Sequence, residues 1–155
     1  MFMVIIVLLM FVLPTTSVLM ELFVFKPDVG FLSLVGKWFV FWGVGVRLFT
    51  AGLRQALQPQ FTANEIFGIT DAKPLVVVRE LGFANVSIGV LGLCSVLSPS
   101  WILPSAIAGG CFYGLAVAQH LMRKERNGVE NVATVSGIFM FLVLLAYVTG
   151  ALWKF

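Results

Sequence analysis

Charged residues are scarce in this chain. Only 11% of its 155 residues are charged, whereas 60% are hydrophobic and the mean hydropathy is +1.04. Soluble domains carry about 25% charged residues, so a protein of this size could not cover so much apolar surface in water. The excess apolar surface must face lipid, which predicts an integral membrane protein.

Histidine and cysteine are equally scarce, with one and two residues. A single histidine excludes metal or haem sites built from several histidines, and no paired-cysteine redox motif occurs. The net charge of +3 comes from scattered basic residues that do not interleave with aromatic ones, which argues against nucleic acid as a partner. We therefore expect no metal site and no catalytic activity from this chain alone.

Hydropathy predicts an all-α integral membrane protein with about five transmembrane helices. The first apolar run lacks a basic leader and a cleavage site, so we interpret it as a retained span. Spans two to five are expected to form a compact antiparallel four-helix bundle within residues 31–155, with the first span, in residues 1–30, packed outside it. The predicted spans cover about residues 1–25, 33–58, 74–97, 101–122 and 131–153.

The distribution of basic residues gives an orientation. Five spans place the N-terminus, the connector at residues 59–73 and the loop at 123–130 on one side, with four Lys or Arg residues against three on the other. Positive residues favour the cytoplasmic side, so we expect this side to be cytoplasmic. The residues counted are Lys73, Arg123, Lys124 and Arg126 on that side, and Lys26, Lys37 and Lys154 on the other.

Polar side chains gather at this same end of the predicted bundle. Two of them, Arg47 and Asn85, lie deeper, about 15 Å inside by helical rise. A charge at the bilayer centre costs about 3 kcal/mol, so Arg47 should point into the bundle. The residues near the end are Arg54, Gln55, Arg79, Glu80, Gln119 and His120.

The charges in this group do not balance. Glu80 is the single acidic residue in the apolar part of spans two to five, whereas three arginines accompany it. We expect Glu80 and Arg47 to share one polar network inside the bundle. The surplus of positive charge predicts a cavity open to the cytoplasmic side, holding water or a ligand with an anionic or carbonyl group.

Each of these residues also has a structural interpretation. The pair Arg79–Glu80 lies one turn inside its span and can reach the interface by snorkelling, as can Arg54. Arg47 can form a salt bridge between helices, and Asn85 a hydrogen bond between helices. His120 at a helix C-terminus is favourable through the helix dipole.

Small residues recur on two helix faces. In the third span, Gly82, Asn85, Gly89 and Gly92 share one face. In the fourth, a ridge of small residues recurs every four positions, at Ala106, Gly110, Gly114 and Ala118. Such faces let a neighbouring helix approach closely.

Several segments resemble small uncharacterised bacterial multi-span membrane proteins, and the last four spans loosely resemble DoxX-like four-helix membrane proteins. The segments are "GKWFVFWGVGVRLFTAGLRQALQPQFTANEIFGI", "VRELGFANVSIGVLGL", "AIAGGCFYGLAVAQHL" and "NVATVSGIFMFLVLL". The resemblance implies a bacterial inner membrane. It also implies a quinone as ligand, because some DoxX-type proteins are associated with quinone-linked redox complexes. It transfers no catalytic residue to this chain.

These observations lead to one functional expectation and several alternatives. We expect the bundle to bind a small amphipathic, lipid-like or quinone-like ligand through Arg47, Arg54, Gln55, Arg79, Glu80, Asn85, Gln119 and His120. The alternatives are an accessory subunit of a membrane redox complex or a homo-oligomer, with the ridge of the fourth span as its docking surface, and a small transporter. A proton relay through Glu80 and His120 is a further alternative.

Overall fold

Five long helices make up the chain in its computed structural model, which describes residues 2–66, 68, 74–124 and 127–153. All five are long and apolar enough to cross a membrane, and no strand occurs in these described ranges. The prediction of an all-α, five-span membrane protein is therefore confirmed. The spans, numbered 1 to 5, are Met3–Phe25, Phe31–Leu57, Leu75–Cys94, Pro99–Met122 and Gly128–Leu152.

Spans 1 and 2 are not uniform α-helices. Span 1 contains π-helical turns at Leu8–Val12 and Glu21–Phe25, and span 2 contains one at Val40–Val46. The connector between spans 2 and 3 holds the short helix Pro59–Phe61 and the π-helical turn Thr62–Ile66. Lys73, Arg126 and Lys154, on which the predicted orientation partly depends, lie outside the described residues.

Local signals set the helix ends near the connector. Span 2 stops at Leu57, two residues before Pro59, because proline cannot supply the N–H that would continue a helix. Span 5 begins after Asn127, whose side-chain oxygen accepts a hydrogen bond from the backbone N–H of Glu130 at 2.8 Å. We call this end of the bundle, where spans 2 and 4 stop and spans 3 and 5 start, the connector end.

Spans 2 and 3 pack backbone against backbone. A Cβ atom added at Gly52 would lie 2.6 Å from the carbonyl oxygen of Gly82. One added at Gly82 would lie 2.7 Å from the backbone nitrogen of Ala56. All four small or polar residues of the predicted face of span 3, from Gly82 to Gly92, are buried. The glycine face is thus confirmed, and it contacts span 2.

Spans 4 and 5 form the second close pair. A Cβ atom added at Gly114 would lie 2.9 Å from the ring of Phe141, and one at Gly110 would lie 3.7 Å from Leu144. Ala118, the last member of the ridge, is exposed. Span 5 therefore covers the middle of the ridge, which leaves little of it as a docking surface for another chain.

Span 1 lies at the edge of the bundle, against spans 2 and 5. Its Phe11 ring stacks on Phe139 with 4.4 Å between centroids. At the end opposite the connector, both carboxylate oxygens of Glu21 lie 2.8 Å from Lys37 Nζ, and Trp38 Nε1 donates to the same carboxylate at 2.6 Å. An apolar stack and a charge cluster thus hold span 1 in place.

Replacing Gly82 by alanine should destabilise the fold. Alanine is favoured over glycine in a helix by about 1 kcal/mol. At Gly82, however, the added methyl group meets backbone atoms of span 2, which cannot move aside as a flexible side chain can. We expect a lower midpoint of thermal unfolding in mild detergent.

The matched control is Gly128→Ala, at the start of span 5, where nothing lies within 4 Å of an added Cβ. This variant should unfold at the wild-type temperature or above it. Equal midpoints for Gly82→Ala and Gly128→Ala would contradict the backbone contact between spans 2 and 3.

Candidate functional site

A cavity of about 340 Å³ lies inside the connector-end half of the bundle. Spans 2, 3, 4 and 5 all contribute walls, and Thr62 of the connector contributes one more. The walls are mainly apolar, with a few convergent polar side chains, which is the composition typical of small-molecule sites. The lining residues that carry polar groups are Arg47, Gln55, Thr62, Asn85, Tyr113, Gln119 and His120.

The span 2 wall is shaped by its π-helical turn. The N–H of Arg47 bonds to the carbonyls of Trp42 and Val44 and skips that of Gly43. The Gly43 carbonyl instead accepts a hydrogen bond from the hydroxyl of Tyr113, which is buried in span 4. The irregular turn thereby ties span 2 to span 4 at the inner end of the cavity, and it places Arg47 directly after this contact.

Asn85 forms the span 3 wall and is only 2% exposed. Its Nδ2 donates a hydrogen bond to Gln55 Oε1 of span 2 at 2.7 Å, as the structural interpretation of this residue expects. Its Oδ1 accepts no hydrogen bond from any residue in the described part of the chain. Buried polar atoms are nearly always hydrogen-bonded, so this oxygen is an unused acceptor in a residue that lines the cavity.

A cluster of charged groups lies where His120 meets the start of span 5. The carboxylate of Glu130 is 1% exposed, and its Oε1 lies 2.8 Å from His120 Nδ1 and 3.3 Å from Arg123 Nη1. Its position in the first turn of span 5 adds the favourable field of a helix N-terminus. The imidazole of His120 is therefore fixed at the cavity wall by a buried carboxylate.

The connector is fastened to the same region. Asn127 Nδ2 donates a hydrogen bond to the backbone carbonyl of Glu65 at 2.9 Å. Thr62 and Ala63 of the connector are 3% and 0% exposed. The connector thus covers the aqueous side of the cavity together with the Glu130 cluster.

The cavity brings together five of the eight residues expected from sequence, namely Arg47, Gln55, Asn85, Gln119 and His120. The other three lie elsewhere. The guanidinium carbon of Arg54 lies 3.4 Å from the ring centroid of Phe61, in a cation–π contact with the connector. Arg79 Nε donates to the carbonyl of Ala56 at 3.2 Å.

The expectation that Glu80 points inward and shares a network with Arg47 is wrong. Glu80 is exposed, and it does not line the cavity. It lies about 140° around the helix from Asn85, away from the face that packs on span 2. One turn inside the span, its carboxylate can reach the interface, so nothing forces it into the bundle.

The buried carboxylate is instead Glu130, in the first turn of span 5, which is not among the eight residues expected from sequence. A stronger signal is present, because His120 and Glu130 flank the same short loop between two antiparallel helices. Such a hairpin brings the end of one helix beside the start of the next. An acid and a histidine placed symmetrically about the loop are therefore candidates for a pair.

The fold and the cavity define a class: a five-span helical integral membrane protein with a mainly apolar cavity near one membrane side. Residues 2–154 match the model of a family described as "Family of unknown function (DUF6790)", and the chain belongs to that family. No curated protein and no solved structure matches the chain. The description of this family names no activity, and none of these comparisons supports the DoxX-like resemblance.

Replacing Glu130 by glutamine should destabilise the connector end. The change removes a buried charge that contacts both His120 and Arg123, and hydrogen bonds to charged groups contribute about 2 kcal/mol. We expect a lower midpoint of thermal unfolding in detergent, together with faster proteolysis of the connector. Glu80→Gln makes the same chemical change at an exposed position and should match the wild type; equal losses in both variants would contradict the role of the cluster.

Proposed function

We propose that this protein binds a small amphipathic ligand in the cavity between spans 2 to 5. The observation that carries the proposal is the buried Oδ1 of Asn85. This oxygen is an unused acceptor in a residue that lines the cavity, and Arg47 lines the same cavity. An empty acceptor in an apolar surrounding costs roughly 1–3 kcal/mol, which a ligand that bonds to it would recover.

The size and the charge of the cavity support the same conclusion. Ligand pockets measure about 300–1,000 Å³, so 340 Å³ suits a single ring or a short stretch of chain. Arg47 supplies a cationic donor for an anionic or carbonyl oxygen, and Gln119 and His120 add polar groups on span 4. Leu48, Leu81, Phe112 and Val117 offer apolar surface to the rest of the molecule.

A quinone-like or lipid-like molecule has this combination of a polar head and an apolar body. We place the protein in a bacterial inner membrane with its connector end in the cytoplasm, on the sequence resemblance and on the distribution of basic residues. Binding rather than catalysis is the proposed activity.

Native mass spectrometry of the protein purified in mild detergent tests this proposal. We expect a bound small molecule on the wild type, identified after organic extraction. Replacing Arg47 or Asn85 by leucine should lower its occupancy about tenfold, because each change removes a hydrogen bond made in an apolar site.

Glu80→Gln is the matched control, since Glu80 is an exposed polar residue of span 3, outside the cavity lining. It should retain wild-type occupancy. The proposal is refuted if the wild type carries no bound molecule in either bilayer nanodiscs or detergent. It is also refuted if all variants show equal occupancy. Stoichiometric protein partners without a ligand would favour the accessory-subunit alternative.

A further inference from the structure

The structure also indicates where the ligand enters and what its head must carry. We infer that it enters from the bilayer through a gap between spans 3 and 4, and that its head donates a hydrogen bond to Asn85. This inference rests on the proposed function and narrows it to membrane-dissolved molecules with a hydroxyl or an undissociated acid group.

Among the residues that the structure describes, the aqueous route is the less accessible one. The connector residues Thr62 and Ala63 are buried over the connector end, and Asn127 holds the connector through the carbonyl of Glu65. Beside them, the Glu130 carboxylate is 1% exposed between His120 and Arg123. A ligand arriving from water would have to separate the buried Glu130 carboxylate from His120 and Arg123, and leaving a buried carboxylate without its partners is costly.

The flank between spans 3 and 4 is different. These two spans follow each other in the chain, yet each packs far more closely on another helix, span 3 on span 2 and span 4 on span 5. Three lining residues of span 4, Phe112, Leu115 and Gln119, recur at helical spacing on the side away from span 5. Leu115 is 74% exposed and Gln119 is exposed, so the cavity reaches the surface along this stripe.

The depth of this opening in the membrane determines whether it faces water or lipid. Leu115 precedes the end of span 4 at Met122 by seven residues, or roughly 10 Å along the helix. A point at that depth lies within the hydrocarbon region of a bilayer about 30 Å thick. The inner part of the opening, at Leu115, therefore faces acyl chains, and a molecule entering there must already be dissolved in the membrane.

The chemistry of the inner wall narrows the head of the ligand. Nδ2 of Asn85 donates its hydrogen bond to Gln55, and the remaining Oδ1 can only accept one. A hydroxyl or an undissociated carboxylic acid can donate to it, whereas a quinone, an ester or an ether cannot. Arg47 can donate to an oxygen of the same head, so an alcohol, a quinol or a fatty acid satisfies both walls.

The head chemistry is tested with a matched pair of probes in proteoliposomes. One probe is a long-chain fatty alcohol with a photoreactive diazirine in its chain, and the other is its methyl ether. We expect the alcohol to label peptides of spans 3 and 4 at the cavity, and the ether to label them about tenfold less. Asn85→Leu should remove this preference for the alcohol, whereas Glu80→Gln should keep it.

The route is tested by the rate at which bound alcohol probe exchanges with unlabelled alcohol. Leu115→Trp should slow exchange several-fold by narrowing the opening, and Leu115→Ala should accelerate it. Leu121→Trp is the matched control, because Leu121 is a 56% exposed leucine of the same helix that does not line the cavity. An unlabelled quinol analogue and an unlabelled fatty acid are then tested separately as competitors of the alcohol probe. The stronger competitor shows which of these two classes supplies the hydroxyl group.

Failure of this inference differs from failure of the proposed function. If the ether labels the cavity as strongly as the alcohol, the inferred head chemistry is overturned. If exchange is indifferent to both Leu115 variants, the inferred route is overturned. In either case a molecule still binds and the proposed function stands. If neither probe labels the cavity and no molecule is extracted from the native protein, the proposed function itself fails.

Discussion

The backbone contact between spans 2 and 3 is the constraint on which the other features depend. Helices in a bilayer gain little from hydrophobic association, because lipid chains are as apolar as leucine, so close packing must hold them together. Gly52 meets Gly82 near the connector end, and Gly45 meets Gly92 further along. Two contact points on one pair of helices fix both their separation and their rotation. The bond from Asn85 to Gln55 lies close to the first contact, so the position of the amide follows from the glycines.

The cavity follows from how the two helix pairs meet. Away from the connector end, glycines of one helix pair contact side chains of the other pair. Gly36 of span 2 packs against Tyr147 of span 5, and Gly109 of span 4 packs against Val44 of span 2. Toward the connector end the facing residues are larger, including Arg47, Phe112 and Tyr113, and the pairs separate around them. The bundle is therefore tight at one end and hollow at the other, which places the cavity in the half that also carries the polar residues.

The sequence was sufficient for the span number, the glycine face of span 3 and the inward position of Arg47, because these depend on hydropathy and helical period. It was insufficient to predict which carboxylate is buried in the bundle. Glu80 and Glu130 both lie within the first two turns of a span, and only the rotation of each helix decides which one is buried. That rotation is set by contacts between spans distant in sequence. The hydrogen bond from Tyr113 to Gly43 could not be predicted either, because no residue pattern in Val40–Val46 indicates a π-helical turn.

The two sides of the cavity differ in charge: the aqueous side carries ionisable groups, and the exposed lining residues described on the flank toward span 3 carry none. Near the aqueous side, the Glu130 carboxylate contacts both His120 and Arg123, so that end is occupied by polar groups that already have partners. Along the flank toward span 3, the exposed lining residues are a leucine and an amide, which present no charge to the lipid. The proposed ligand would place its polar head against the inner wall, where Arg47 and Asn85 lie. In this proposed arrangement an apolar body attached to that head points back toward the bilayer, because the other described sides of the cavity are packed helices or the Glu130 cluster.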